Sequence, residues 1–280
     1  MKAFYIDVAR CNGCHNCQIA CKDEHSENAW LPYAEAQPMT GQFWCRVEDK
    51  LQGSAPKIRM HYISRLCNHC KNPLCRSACP AGAIDVRPDG LVLINPAKCV
   101  GCRACEKACV YGAVFFNEEK KICQKCTGCA HILDNEENEL YRLPRCADAC
   151  PTDALQFGEE ADFADFIDGA EVLLPESGAA PRVYYRNIPG SFIAGCAVDP
   201  DEKEVIIGAD VRAAVGGKTY FTKTDDFGDF WLNDLPVGKF RVVIDGSAVG
   251  YGISVFEDVA SKGSVNLGDI FISKKDGENA

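Results

Sequence analysis

The chain has 280 residues, a formal charge of −10 and 19 cysteines, of which 18 lie between Cys11 and Cys150. This length suits about two domains, and the cysteine-rich first half and cysteine-poor second half predict two domains of different chemistry. The sequence contains no run of 18 apolar residues, so no membrane span is expected.

The distribution of charge and the first residues narrow the function classes further. Residues 1–150 carry 19 Lys and Arg against 17 Asp and Glu, whereas residues 151–280 carry 11 against 23. This acidic balance disfavours a zinc protein that binds nucleic acid, because phosphate recognition needs a basic face. The segment Met1–Asp7 lacks the apolar core of a secretion signal, so clustered cysteines are interpreted as metal ligands rather than disulfides.

In chain order, the first half shows short apolar segments between the cysteines. A strand is expected at residues 4–8, and residues 83–86 and 91–94 resemble a hairpin around Arg87-Pro88-Asp89-Gly90. A further short strand is expected at residues 113–116.

The second half begins with a helical pattern at residues 161–171, followed by a linker at residues 175–181. Beyond the linker, apolar residues alternate in β fashion and turns separate the segments, which predicts a β-sandwich. The segments are residues 230–232, 240–244, 251–255 and 265–267. We therefore expect an α+β chain with domains at residues 1–180 and 181–280.

The cysteines of the first half form four groups of four. The first and third groups share the spacing C-x2-C-x2-C-x3-C, the second is C-x2-C-x4-C-x3-C, and the fourth consists of two separated pairs. In order, the groups are Cys11, Cys14, Cys17, Cys21; Cys67, Cys70, Cys75, Cys79; Cys99, Cys102, Cys105, Cys109; and Cys126, Cys129, Cys146, Cys150.

An internal repeat accompanies three of the groups. After their last cysteine the chain reads Cys79-Pro-Ala-Gly-Ala-Ile, Cys109-Val-Tyr-Gly-Ala-Val and Cys150-Pro-Thr-Asp-Ala-Leu. Each run is expected to pass from a short helix through a turn into a strand. Repeated small units with ligands at fixed offsets indicate a duplicated bacterial-ferredoxin-like domain.

The spacing also predicts the chemistry of these cysteines. A C-x2-C-x2-C loop surrounds one face of a [4Fe-4S] cluster, and in the run C-x2-C-x2-C-x3-C-P the fourth cysteine ligates the neighbouring cluster. Zinc accounts for C-x2-C pairs, but not for a third cysteine two residues further on and a fourth after three more. Four [4Fe-4S] clusters are therefore predicted.

The ferredoxin rule assigns the ligands to four sites, because the second and third groups are neighbours in sequence and the first and fourth then pair around them. Site A is Cys11, Cys14, Cys17 and Cys150, and site B is Cys126, Cys129, Cys146 and Cys21. Site C is Cys67, Cys70, Cys75 and Cys109, and site D is Cys99, Cys102, Cys105 and Cys79.

Three cysteines remain outside these sites. Cys45 and Cys196 are isolated and are expected to be small buried apolar side chains. Cys123 leaves an alternative open, because the triplet of Cys123, Cys126 and Cys129 could be a ligand loop shifted by one cysteine. The histidines near predicted ligands, namely His15, His69 and His131, are expected to donate hydrogen bonds to sulfur or to pack, and no catalytic residue is predicted.

These motifs resemble the four-cluster ferredoxin subunit of molybdopterin oxidoreductases, the dimethyl sulfoxide reductase family. The resemblance covers residues 1–158 and includes Pro80 and Pro151 after the second and fourth groups. It implies an electron-transfer subunit that is not catalytic by itself. It also implies a heterodimer with a large catalytic subunit, which holds a molybdenum or tungsten bis-pterin guanine dinucleotide, and an external electron donor or acceptor.

The tail makes the resemblance more specific. The segments Thr224–Phe230 and Leu235–Val242 look like a Greek-key β-sandwich of the collagen-adhesin B-type or carboxypeptidase-regulatory kind. A four-group ferredoxin followed by this sandwich is similar to the small subunits of pyrogallol–phloroglucinol transhydroxylases. In those subunits most third-group cysteines are missing and three clusters are held, whereas the third group is complete here.

The complete third group favours net electron transfer over transhydroxylation. The expected enzyme is a dehydroxylase or hydroxylase acting on a hydroxylated aromatic compound. The alternatives are a transhydroxylase small subunit whose clusters are mainly structural, and the iron–sulfur subunit of a respiratory reductase. A cytoplasmic location is expected, because clusters are installed there, and the alternative is export of the folded chain with a partner that bears a twin-arginine signal.

Overall fold

The computed structural model describes residues 1–137, 142–260 and 263–275. Its helices are all short: α1 Asn16–His25, α2 Leu74–Ser77, α3 Ala104–Ala108, α4 Ala130–Leu133, α5 Arg145–Asp148 and α6 Ala164–Ile167. Three 3-10 turns lie at Val8–Arg10, Pro175–Ser177 and Ser247–Val249. In the described part of the chain, none of the helices has the length and apolar character needed to cross a membrane.

Sixteen strands make up most of the remaining regular structure. The strands up to residue 188 are β1 Lys2–Asp7, β2 Arg46–Ser54, β3 Lys57–Arg65, β4 Ile84–Val86, β5 Val92–Ile94, β6 Phe115–Asn117, β7 Ile122–Gln124, β8 Leu155–Glu159 and β9 Val183–Arg186. The others are β10 Ser191–Val198, β11 Asp210–Val215, β12 Lys218–Lys223, β13 Asp229–Leu235, β14 Lys239–Asp245, β15 Ile253–Ala260 and β16 Val265–Phe271.

The chain divides into two compact units. The first contains residues 1–50 and 61–188, and the second contains residues 51–60 and 189–280. The first unit extends past the predicted boundary after residue 180, because β9 pairs in parallel with β1. Ion pairing and stacking place residues 51–60 in the second unit: Lys57 pairs with Asp229, and the Arg59 guanidinium lies 4.5 Å from the centre of the Trp231 ring.

In the first unit, β1 is the central strand of a three-stranded sheet with the order β8-β1-β9. Residues 3–6 of β1 are all buried, as is typical of an apolar strand with a neighbour on each side. Phe4 packs against Phe157 of β8, with ring centres 4.7 Å apart, and Tyr5 stacks on Phe163 at 3.9 Å. The predicted helix at residues 161–171 is thus reduced to α6, because Phe163 and Phe166 both pack on Tyr5 and Gly169, at φ 80°, follows.

Small hairpins connect the cysteine groups. β4 pairs antiparallel with β5, with Ile84 opposite Ile94, and β6 pairs antiparallel with β7. The first pair matches the hairpin expected at residues 83–94. The turn between β6 and β7 is the exposed segment Glu118–Lys121.

The second unit is built from two sheets with the strand orders β13-β10-β16 and β12-β11-β14-β15. Apolar residues of both sheets form one core, in which Phe230 of the first sheet and Phe240, Val242 and Ile244 of the second are at most 1% exposed. Alternate residues of β14 point into this core, as the β-pattern of the sequence predicted. The arrangement is that of a β-sandwich.

Candidate metal centres

The loops of the first and third cysteine groups have the same backbone conformation. Gly13 and Gly101 adopt φ of 71° and 70°, and His15 and Arg103, one residue after the second cysteine, both adopt 60°. These left-handed residues turn the chain around a common point. A helix then follows each loop, α1 or α3, and carries the third cysteine.

The runs after the second, third and fourth groups also share one geometry. The third residue after the last cysteine is left-handed in each run, with φ of 58° at Gly82, 57° at Gly112 and 50° at Asp153. A backbone amide just beyond this turn donates to the cysteine sulfur over 3.4 Å in each run: Ala83 to Cys79, Ala113 to Cys109, and Leu155 to Cys150. Such amide bonds stabilise a thiolate.

The first and fourth groups lie close together. The fully buried Cys21 thiol has the thiols of Cys126, Cys129 and Cys146 as neighbours, and burial together with these thiols raises its pKa well above the usual value. All four are the residues of site B.

The Cys11 thiol in turn neighbours the thiols of Cys14, Cys17 and Cys150. Its pKa is raised mainly by burial, and the thiols of Cys17 and Cys150 raise it further. These four are the residues of site A. Cys14 is exposed, whereas Cys17 is buried.

The residues of site C surround a cavity. The thiol of Cys70 neighbours those of Cys67, Cys75 and Cys109, and burial raises its pKa to about 12. The same four cysteines line one partly open cavity, together with Val92 and Lys125 among others. Four soft thiolates around one cavity are the donor set of a [4Fe-4S] cluster, so the residues present fit that group.

Three of the four residues of site D lie in one cluster, which also contains Cys123 and two residues of site C, Cys75 and Cys109. Cys79 and Cys99 pack against the buried Cys105 and Cys123 in one apolar cluster. Cys102 lies on the same loop and is exposed. Within the described residues, no three His, Cys, Asp or Glu side chains are placed as ligands of a single metal ion.

Two cysteines outside the four sites contact them. Cys45 is fully buried, and its thiol interacts with the thiols of Cys17 and Cys146. The interaction with Cys45 is the main reason that the pKa of Cys17 is lowered to about 6. The thiol of Cys123 interacts foremost with Cys105. Sequence reasoning anticipated a buried Cys45 but not its place between two sites.

Cys196 was expected to be buried, but it is only half-buried in the second unit. Its sulfur is 3.5 Å from the Phe227 carbonyl oxygen, to which it donates. The side chain is therefore partly accessible, on a strand of the sandwich that carries no cysteine group.

Of the three histidines expected to bond to sulfur or to pack, His69 and His131 pack against aromatic rings, and His15 lies 3.9 Å from the Asp49 carboxylate. His69 accepts a hydrogen bond from the Val92 amide (3.0 Å), and His131 lies 2.9 Å from Glu24 and stacks on Trp30. His25, which sequence reasoning missed, has its Nε2 3.8 Å from the Cys129 sulfur. Burial lowers the pKa of His25 to about 3, so its ring is neutral at neutral pH.

Lys125 is the second residue that sequence reasoning missed. Its side chain is buried and donates hydrogen bonds to the carbonyls of Val92 and Cys126. Burial lowers the pKa of Lys125, but the thiolates of Cys67, Cys75 and Cys126 outweigh burial and hold the pKa above its usual value. The available signal was its position directly before Cys126, in a stretch that is otherwise apolar or neutral.

Known proteins resemble both halves of the chain. Residues 58–160 match the 4Fe-4S dicluster domain, and residues 193–270 match the carboxypeptidase regulatory-like domain. The chain is 37% identical to the pyrogallol hydroxytransferase small subunit of Pelobacter acidigallici, over 96% of this chain and 99% of that protein.

Shorter matches cover the cysteine-rich half. The chain is 36% identical to a subunit of the sulfite dehydrogenase of Allochromatium vinosum, over 65% of this chain and 81% of that protein. It is also 36% identical to a subunit of the anaerobic dimethyl sulfoxide reductase of Escherichia coli K12, over 55% of this chain and 72% of that protein. The expected combination of a ferredoxin-like 4Fe-4S domain and a carboxypeptidase regulatory-like domain is thereby confirmed.

Proposed function

Because this chain belongs to the iron–sulfur subunits of the dimethyl sulfoxide reductase family of molybdopterin oxidoreductases, we propose that its sixteen grouped cysteines hold four [4Fe-4S] clusters as an electron wire. The observation that carries this proposal is the exchange of last cysteines between groups. Cys21 lies among thiols of the fourth group, Cys150 beside Cys11, and Cys109 beside Cys70. When bound, each cluster takes up and releases one electron.

The proposed ligand sets are those of sites A, B, C and D. Contacts between cysteines support sites A, B and C completely, and three of the four cysteines of site D pack together. The position of Cys123 beside Cys105 supports its exclusion from site B, where Cys126, Cys129, Cys146 and Cys21 already supply four thiols.

Side chains shared between sites support the order A, B, C, D along the wire. Cys45 contacts Cys17 of site A and Cys146 of site B. Lys125 contacts thiols of sites B and C. Cys75 of site C interacts with Cys105 of site D.

The exposed cysteines indicate where electrons enter and leave. Cys14 of site A and Cys102 of site D are the exposed members of the sixteen, whereas sites B and C contain only buried or half-buried cysteines. The two ends of the proposed order are therefore the sites nearest to solvent or to a partner. The inner residues exclude water and so favour transfer between sites over loss of electrons.

The partner that we propose is a large subunit with a molybdenum or tungsten bis-pterin guanine dinucleotide, acting on a hydroxylated aromatic compound. The similarity to the pyrogallol hydroxytransferase small subunit over nearly the full length of both chains supports this substrate class. Net oxidation or reduction, as in a dehydroxylase or hydroxylase, needs an external electron donor or acceptor. The complete third cysteine group supports such a reaction, because net electron transfer to or from an external partner requires an unbroken series of clusters.

A transhydroxylase small subunit with mainly structural clusters is the second candidate, supported by the same full-length similarity. The experiment that separates the two is C102S in the purified complex, with C196S as control because Cys196 lies outside the grouped cysteines. If the clusters transfer electrons, the C102S complex should lose turnover with an external electron donor or acceptor. If the clusters are structural, C102S should lower only the stability of the complex. Full turnover of the wild-type complex without any electron donor or acceptor would refute the net redox reaction.

The cluster number is tested by electron paramagnetic resonance on the reduced complex. Four interacting paramagnets are expected, with iron analysis giving four clusters per chain. Two or fewer paramagnets at full iron loading would refute the four-site proposal.

For the second unit we propose Greek-key connections, and a role in partner interaction or stabilisation. The strand orders β13-β10-β16 and β12-β11-β14-β15 support the Greek key, since the chain crosses from one sheet to the other after β10, β12, β13 and β15. We also propose a cytoplasmic location, because iron–sulfur clusters are installed there, with export alongside a twin-arginine partner as the alternative. Fractionation of native cells with an antibody to this chain distinguishes the two.

A further inference from the structure

Lys125 is a buried cation held in one place. It follows β7 directly, its side chain is almost fully buried, and its ammonium donates to the carbonyl oxygens of Val92 and Cys126. The two carbonyls come from separate segments, β5 and the loop of the fourth group. The position of the charge is therefore fixed by the fold rather than by a mobile side chain.

Within residues 1–137, 142–260 and 263–275, Lys125 forms no ion pair with an Asp or Glu. His69, a buried histidine that bonds to β5, lies near Lys125 and also near a second cation, Arg182. A buried charge without a counter-ion is strongly unfavourable, so the balancing negative charge would come from the thiolates that ligate a bound cluster, namely those that line the same cavity and that of the adjoining Cys126.

Those thiolates belong to two different sites. Cys67 and Cys75 are residues of site C, and Cys126 is a residue of site B. Lys125 also lines the cavity that the four cysteines of site C surround. The ammonium therefore lies at the junction between the two inner sites of the wire.

We propose that Lys125 raises the reduction potentials of the two inner clusters. This inference rests on the proposed function of sites B and C. Reduction adds one negative charge to a site, and a fixed nearby cation stabilises the reduced state. The effect is strong in a water-excluded interior, where the charge is little screened.

The alternative role for Lys125 is structural, as a hydrogen-bond donor that ties β5 to the loop of the fourth group. K125M removes the charge and the hydrogen bonds but keeps a side chain of similar length. K125Q removes the charge and keeps an amide hydrogen-bond donor. K125R keeps the charge. K98Q is a matched control, because Lys98 also directly precedes the first cysteine of a group but is 55% exposed.

The test is a redox titration of the purified complex, monitored by electron paramagnetic resonance, with iron analysis of each variant. In K125M and K125Q, two of the four midpoint potentials are expected to fall by at least about 59 mV, which is a tenfold change in a one-electron equilibrium. K125R and K98Q are expected to keep all four potentials. A structural role would not lower two potentials in K125Q at full iron loading.

Unchanged potentials in iron-replete K125Q or K125M would overturn the proposal, as would a shift in the outer sites alone. If both neutral variants fail to load iron, the iron content of K125R distinguishes the two roles. Full iron loading in K125R supports a requirement for the positive charge, and failure of K125R to load iron overturns the proposal. A failure of the proposed four-cluster function can be distinguished from a failure of the Lys125 proposal, because the first would appear in the iron content and the number of paramagnets of the wild-type complex.

Discussion

Replacing Gly101 by alanine tests whether the loop geometry of the third group is what forms site D. Gly101 adopts φ of 70°, and a Cβ added there would lie far inside contact distance of the Lys121 carbonyl oxygen. A non-glycine residue in this conformation costs about 1 kcal/mol or more. Displacing backbone to relieve the overlap adds about 1–3 kcal/mol.

The matched control is G82A. Gly82 has φ of 58°, so alanine has a similar conformational cost, but nothing lies within 4 Å of the added Cβ. We expect G101A to lose roughly a quarter of the iron, one cluster of four, and to release iron faster to a chelator, whereas G82A stays fully loaded. Iron analysis, paramagnet counting and chelation rates measure this. Equal iron content and equal release rates in the two variants would refute the steric reasoning.

Three further predictions concern the core, the surface and the ligand register. F240A is expected to destabilise the sandwich by about 3–5 kcal/mol in thermal or urea unfolding, whereas F227A, at an exposed residue, should change stability by at most about 0.5 kcal/mol. Arg87 holds the pKa of Asp134 at about 2, so D134N should lose a solvent-screened ~0.5 kcal/mol. The loss of stability in D134N should be constant from pH 8 to pH 5. A carboxyl group with a depressed pKa loses its stabilising effect only when the pH falls below the ordinary carboxyl pKa near 4. A stability difference between wild type and D134N that shrinks between pH 7 and pH 5 would contradict this prediction. C123A should keep four clusters, and loss of one would support the shifted ligand triplet.

The cysteine groups could be predicted from the sequence because a cluster demands ligands at fixed offsets. The hairpin of β4 and β5 was equally visible, since turn residues separate two apolar segments. The strand expected at residues 113–116 instead begins at Phe115. The reason lies in the site, because the amide of Ala113 donates to the sulfur of Cys109 and is not available to a strand partner.

Other features left no local signal. β2 and β3 form a two-stranded sheet, but their alternation is weak because few of their residues are buried. Sequence reasoning therefore passed over residues 46–65. Cys45 was likewise predictable as a buried residue but not as a neighbour of Cys17 and Cys146, because that contact joins three segments distant in the chain.

The junctions between sites differ in chemistry, and this difference has a consequence for electron flow. A thiol, Cys45, lies between sites A and B, and a cation, Lys125, lies between B and C. Between C and D, Cys75 and Cys105 interact only electrostatically. A charge at the middle junction stabilises reduced states there relative to both ends. With the proposed role of Lys125, an electron that enters at either exposed end is therefore expected to be stabilised at sites B and C. The sequence motifs locate the ligands of this wire, whereas its energetic profile depends on residues that are not ligands.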